Sequence, residues 1–96
     1  MLIEVIGQDK TITEQVRAYA EYRLFATLAR YAQLVRSVRM VLQPVTGNQI
    51  VCSVTVALEP SGCARARASR PVVHSAIERA TERIGDLMSR RTALHH

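Results

Sequence analysis

Apolar and polar positions alternate along the chain in two different rhythms. Leu2 to Ile6 is a short apolar run with β-branched residues, closed by Gly7, and predicts a first strand. Thr11-Ile12-Thr13-Glu14 opens a helix: Thr11 with Glu14 fits a capping box, and Thr13 is a second candidate for the N-cap. Ile12, Val16, Tyr19, Ala20, Leu24, Thr27, Leu28 and Tyr31 then recur at helical spacing. Phe25 falls opposite that stripe. A one-residue bulge that re-aims it inward is preferred to an exposed aromatic.

From Val38 to Gln43 the period changes to two, with Val38, Met40 and Leu42 on the better-buried side. Pro44 is expected to end that strand, and Thr46-Gly47-Asn48 to turn the chain. Ile50 to Leu58 is a β-branched run with Ile50, Cys52, Val54, Val56 and Leu58 on one face, followed by a turn at Glu59-Pro60-Ser61-Gly62. Cys63 to Ser69 alternates strictly. Its Ala and Arg content would also suit a helix, but its shortness and its place after a hairpin turn favour a strand, with Arg65 and Arg67 on the solvent face. Pro71 suits the first turn of a last helix capped by Ser69 or Arg70. Val73, Ala76, Ile77, Ala80, Ile84, Leu87 and Met88 form its apolar stripe, to about Arg91.

The order β-α-β-β-β-α predicts an α+β, two-layer sandwich. Three strands form a meander, and the first joins them across a helix, parallel to a neighbour or at an edge. Both helices cover one face of a four-stranded sheet and leave the other wet, an architecture like that of double-stranded-RNA-binding domains. Residues 1–91 read as a single domain and 92–96 as a tail; His95 and His96 would suit a purification-tag remnant as well as a native end and are assigned no function.

Composition sharpens this picture. The 96 residues are 48% hydrophobic but only 4% aromatic, without Trp, so the core is built from aliphatic side chains, Ala and Met. The net charge is +5, and Lys10 is the one Lys among thirteen basic residues. Arg offers a planar fork that grips phosphate with two hydrogen bonds, which points to a polyanionic partner. No signal peptide or bilayer-length apolar run is evident, and the two cysteines, Cys52 and Cys63, are expected to be reduced thiols of a cytoplasmic protein.

Catalytic chemistry finds little support. His74 has no Ser or Cys at a recognisable spacing. Cys52, Cys63 and His74 stand eleven residues apart each time, which matches no zinc pattern. The glycines form no phosphate loop, and Glu78, Glu82 and Asp86 read as a solvated face. No enzyme activity, metal, cofactor or small-molecule substrate is expected.

The basic residues are more suggestive. Arg79, Arg83 and Arg90 flank the stripe of the last helix, and Arg91 adds charge at its end. Arg23 and Arg30 flank the first helix, with Arg17 on its other side, and Arg36 and Arg39 open the second strand. If the helices lie side by side, these guanidinium groups border the groove between them. Such a surface would read structured RNA through phosphates and shape, without a sequence motif.

Ile3-Glu4-Val5-Ile6-Gly7, then Ile12-Thr13-Glu14-Gln15-Val16-Arg17-Ala18-Tyr19, and late in the chain Ala76-Ile77-Glu78, Arg83-Ile84 and Arg90-Arg91, follow one another in a familiar order. The chain resembles, over about residues 2 to 91, the ribosome hibernation-promoting factor family, also called ribosome-associated inhibitor or sigma-54 modulation protein. The resemblance implies the β-α-β-β-β-α fold and a non-enzymatic protein. It would dock on the small ribosomal subunit (16S rRNA) in the messenger- and transfer-RNA cleft and silence idle ribosomes. Arg17, Arg23, Arg83 and Arg90 stand at positions that are basic in the family. The departures are Val72-Val73-His74 for the family's D-M-Y, Asp86 where a basic residue is common, and one extra residue around Phe25, with Ala26 or Thr27 for a usual Lys. Without the C-terminal extension of long members, the chain is not expected to pair ribosomes. The alternative is a binding module of the same fold turned to another RNA, or to a protein partner through Phe25 and the sheet.

Overall fold

A computed structural model describes residues 1–8, 10 and 12–93. The elements run β1 (Leu2–Gly7), α1 (Glu14–Leu28) with a 3-10 turn at Ala29–Tyr31, β2 (Val35–Val45), β3 (Gln49–Leu58), β4 (Cys63–Arg70) and α2 (Val73–Ala93). The sheet order is β1-β2-β3-β4, with β1 parallel to β2 and the other pairs antiparallel. β1 and β4 are therefore its two edges. The predicted architecture is the one observed.

The period of two puts Val38, Met40, Leu42, Cys52, Val54, Val56, Ala64 and Ala68 under the helices, all nearly inaccessible. The alanines of β4 matter because α2 packs directly on that strand and larger side chains would hold it off. From the helices, Ala20, Leu24, Leu28, Ala76, Ile77, Ala80, Ile84 and Met88 complete the core. Thr81 is also buried, and its hydroxyl donates to the Ile77 carbonyl at 2.9 Å, so no polar group is stranded there.

Several boundaries differ from the sequence reading, each for a physical reason. Thr13 is the N-cap of α1, its hydroxyl accepting from the Val16 N–H at 3.2 Å; Thr11, the other candidate, lies outside the described residues, as do Leu94, His95 and His96 of the tail. α1 has no bulge: Leu24 is fully buried while Phe25 is 59% exposed. The expected inward turn of Phe25 is thus corrected; neighbours about 100° apart on a regular helix cannot both face the sheet once Leu24 and Leu28 do. Pro44 does not stop β2, because β1 pairs only as far as Leu42 and no strand on that side needs a donor from residue 44. Pro71 precedes α2 rather than opening it, and Ser69 and Arg70 belong to β4, paired with Val51 and Ile50. The β2–β3 turn uses positive φ at Gly47 and Asn48, residue types that tolerate it.

Gly7 fills another close approach. A Cβ there would stand 2.6 Å from both Cβ and Cγ2 of Ile12, a buried residue whose Cβ cannot rotate away. Gly7→Ala is expected to lower stability by about 1–3 kcal/mol, seen as a lower urea midpoint with an unchanged slope.

Candidate nucleic-acid interface

α2 presents two unlike flanks on either side of its buried stripe. The flank toward α1 carries His74, Glu78 and Gly85. The Tyr19 ring lies 4.7 Å from that of His74, the Tyr19 hydroxyl donates to Glu78 Oε1 at 2.7 Å, and Gly85 lies so near Thr27 that a Cβ would meet its Cγ2 at 2.9 Å. That hydrogen bond to Glu78 raises the Tyr19 pKa, because the bound phenol resists losing its proton.

The opposite flank carries Arg79, Arg83 and Arg90, spaced to recur on one side of a helix. They face β4, not α1. The expectation that they border a groove between the helices, together with Arg23 and Arg30, is therefore corrected. The sheet edge, not the partner helix, lies on their side of the stripe. With Asp86 and Leu87 of α2, and Arg65 and Ala66 of β4, they line an open cleft of about 370 Å³. Four arginines thus line the cleft with one carboxylate, Asp86, while Glu82 pairs with Arg79 just outside the lining.

The outer edge of β4 is itself covered by arginine. Arg83 Nη1 donates to the Arg67 carbonyl, Arg91 Nη2 to the Cys63 carbonyl at 2.9 Å, and Arg70 Nη1 to its neighbour, the Ser69 carbonyl, at 2.9 Å. These carbonyls point away from β3, whose ladder is served by Ala64, Ala66 and Ala68 between them. By the same alternation the N–H and C=O of Arg65 also point outward, into the cleft. Arg79 is paired with Glu82 at 2.9 Å, an exposed contact that is cheap to exchange for another anion.

The remaining candidates are scattered. Arg17 Nη1 donates to the Val5 carbonyl at 2.6 Å and so ties α1 to β1. Arg36 grips both oxygens of Glu59, at 2.9 and 3.2 Å, and reaches the Pro60 carbonyl, so it clamps the start of β2 to the β3–β4 turn. The Arg36 guanidinium holds the Glu59 carboxyl below the usual carboxylate range, and its own pKa is raised in return. This contribution to stability is present at neutral pH and is lost as pH falls through the lowered Glu59 value. Arg39 sits on the open face of the sheet, 3.5 Å from Glu4 of β1. Arg30 stacks over Tyr31 at 5.3 Å, and Arg23 is half-buried with its Nε shielded from water and unpartnered.

Arg65 is the cleft residue that sequence reasoning assigned only to the wet face of the sheet. Its alternation was visible. What the sequence could not show is that β4 is an edge, around which a long side chain can reach toward α2.

Among the described residues no three of His, Cys, Asp and Glu come together to hold a metal, and no helix is long and apolar enough to cross a membrane. Cys52 is inaccessible and burial pushes its thiol up to about 12, whereas Cys63 is half-buried at the start of β4. Since the thiolate is the reactive form, an alkylating reagent at mildly alkaline pH is expected to label Cys63 alone. Cys52 should react only after denaturant is added, as peptide mass spectrometry would show.

Comparison with known proteins places these features in context. The family model described as sigma 54 modulation protein / S30EA ribosomal protein matches residues 3–92. The crystal structure of the Thermus thermophilus Protein Y N-terminal domain is similar at 31% identity and a TM-score of 0.79, over 94% of this chain and 98% of that one. A ribosomal subunit interface protein from Coxiella burnetii shares the fold at 16% identity and a TM-score of 0.84, over 97% and 99% of the two chains. No curated protein sequence matches the chain.

Proposed function

The chain belongs to the sigma 54 modulation protein / S30EA ribosomal protein family, and from that membership we propose that it is a ribosome hibernation factor that docks on the small subunit. It acts in the cytoplasm by occlusion and not by catalysis. The folded domain sits in the path of messenger and transfer RNA, and its volume excludes both. Phosphates of 16S rRNA are met by Arg65, Arg79, Arg83 and Arg90, while Arg91, Arg39, Arg23 and Arg30, spread over other parts of the surface, meet separate segments of the RNA. Arg17 and Arg36 serve chiefly to hold the frame.

The observation that carries this reading is the β4–α2 cleft. It sets four arginines from two rigid elements against one carboxylate, and an RNA backbone needs only phosphate contacts and shape to be held there. Asp86, one of the departures from the family pattern, lies inside this cleft and lowers its charge by one without closing it.

The test is co-sedimentation of the purified protein with small ribosomal subunits at low and moderate salt. Saturable binding that weakens steeply with salt and is displaced by transfer RNA is expected. An absence of binding at every salt concentration would overturn the proposal. A second reading rests on α1, where Tyr22 and Phe25 are 67% and 59% exposed, enough to anchor a protein partner. A complex made through them would be nearly indifferent to salt.

A further inference from the structure

The cleft gathers Arg65, Arg79, Arg83 and Arg90 from two elements around one open depression, closer company than scattered contacts to RNA require. Its volume of about 370 Å³ falls within the range of ~300–1,000 Å³ usual for small-ligand sites. Arg83 is held in place by the Arg67 carbonyl, so part of the site is ordered before any ligand arrives. Arg79 and Arg90 lie one turn before and two turns after it on α2, and Arg65 closes the site from β4. The outward N–H of Arg65 adds a backbone donor between them. Ala66 and Leu87 give the floor an apolar strip, and Asp86 can accept from a ligand hydroxyl. Arg79 and Arg90 stand about 16 Å apart along the axis of α2, so an extended run of linked phosphates matches their spread better than a single phosphate does.

We propose that the β4–α2 cleft binds a free small anion carrying linked phosphates, and that this anion competes there with ribosomal RNA. The two ligands share one chemistry, so what distinguishes them is size and source. Occupation of the cleft by the small anion removes phosphate contacts that the docked protein needs, and so releases it from the subunit. This consequence rests on the function proposed above, whereas the binding itself does not.

The experiment is nuclear magnetic resonance titration of the ¹⁵N-labelled full chain with inorganic tripolyphosphate, with orthophosphate and a short mixed-sequence RNA for comparison, all at constant ionic strength. Saturable shifts at the amides of Arg65, Ala66 and Arg67 and at the Nε signals of Arg79, Arg83 and Arg90 are expected, at least about tenfold tighter for tripolyphosphate than for orthophosphate. Arg90→Gln and Arg79→Gln should each weaken tripolyphosphate severalfold with an unchanged melting temperature, whereas Lys10→Gln removes the same charge and should not. Unsaturable shifts spread over all basic residues, equal weakening by Lys10→Gln, or a response to RNA alone would each overturn the site. Co-sedimentation in the presence of tripolyphosphate then tests the competition. Release from the subunits at the concentration that saturates the cleft supports it, and retention overturns it. Saturable tripolyphosphate binding by a protein that never sediments with subunits would leave the site standing and remove the ribosomal function. Sedimentation without tripolyphosphate binding would do the reverse.

Discussion

Arg83→Glu combined with Arg90→Glu is expected to cut affinity for small ribosomal subunits by about a hundredfold and to flatten the logarithmic salt dependence by about two. Each phosphate contact made by a guanidinium releases roughly one counterion, and the double variant removes two such contacts while adding two repulsive charges to the same cleft. Folding should survive. Arg90 makes no ion pair among the described residues, and Arg83 gives up one hydrogen bond to the Arg67 carbonyl, worth about 1 kcal/mol. Co-sedimentation over a salt series measures the effect, with the melting temperature as the check on folding. Lys10→Glu, an exposed charge reversal away from the cleft, should change affinity far less. Undiminished binding by the double variant would remove the β4–α2 cleft from the interface.

The largest effect on stability is expected at Leu24. Its side chain is fully buried between α1 and the sheet, and Leu24→Ala deletes contacts that the surrounding core can refill only in part, at a cost of about 3 kcal/mol. For a domain of this size that is a fall in melting temperature of roughly 10–20 °C. Phe25→Ala, one residue along, removes a larger side chain that lies 59% exposed, and should shift the melting temperature by no more than about 3 °C. Calorimetry on the pair checks the helix phase directly. Comparable losses at both positions would restore the bulge that α1 lacks.

Leu24 and Phe25 also show where the sequence was legible and where it was not. The period of α1 correctly placed Val16, Ala20, Leu24 and Leu28 inside. The error at Phe25 came from preferring a bulge to an exposed aromatic, whereas a regular helix leaves position 25 outside once 24 and 28 face the sheet. The alternation of Cys63 to Ser69 gave β4 as a strand despite its helix-forming composition, because the hairpin turn before it outweighs local propensity. The basic flank of α2 was equally visible, since 79, 83 and 90 share a side by spacing alone. Which neighbour that side would face was not visible. A helical stripe fixes what is buried, but its two flanks are equivalent until the strand order is known, and strand order rests on contacts distant in sequence. Arg65 was missed for the same reason, and Arg17 and Arg36 read as free cations because their partners, the Val5 carbonyl and Glu59, lie across such contacts.

The arginines on the outer edge of β4 bear on how copies of the protein meet one another. An edge strand offers acceptors to any passing extended chain, and a sheet that accepts one copy can accept the next. On β4 the carbonyls of Cys63, Arg67 and Ser69 already hold guanidinium donors, so an approaching strand finds them occupied and meets positive charge as well. Arginine can do this while staying hydrated, as an apolar cover could not. Strand pairing between copies through the β4 edge is thereby disfavoured.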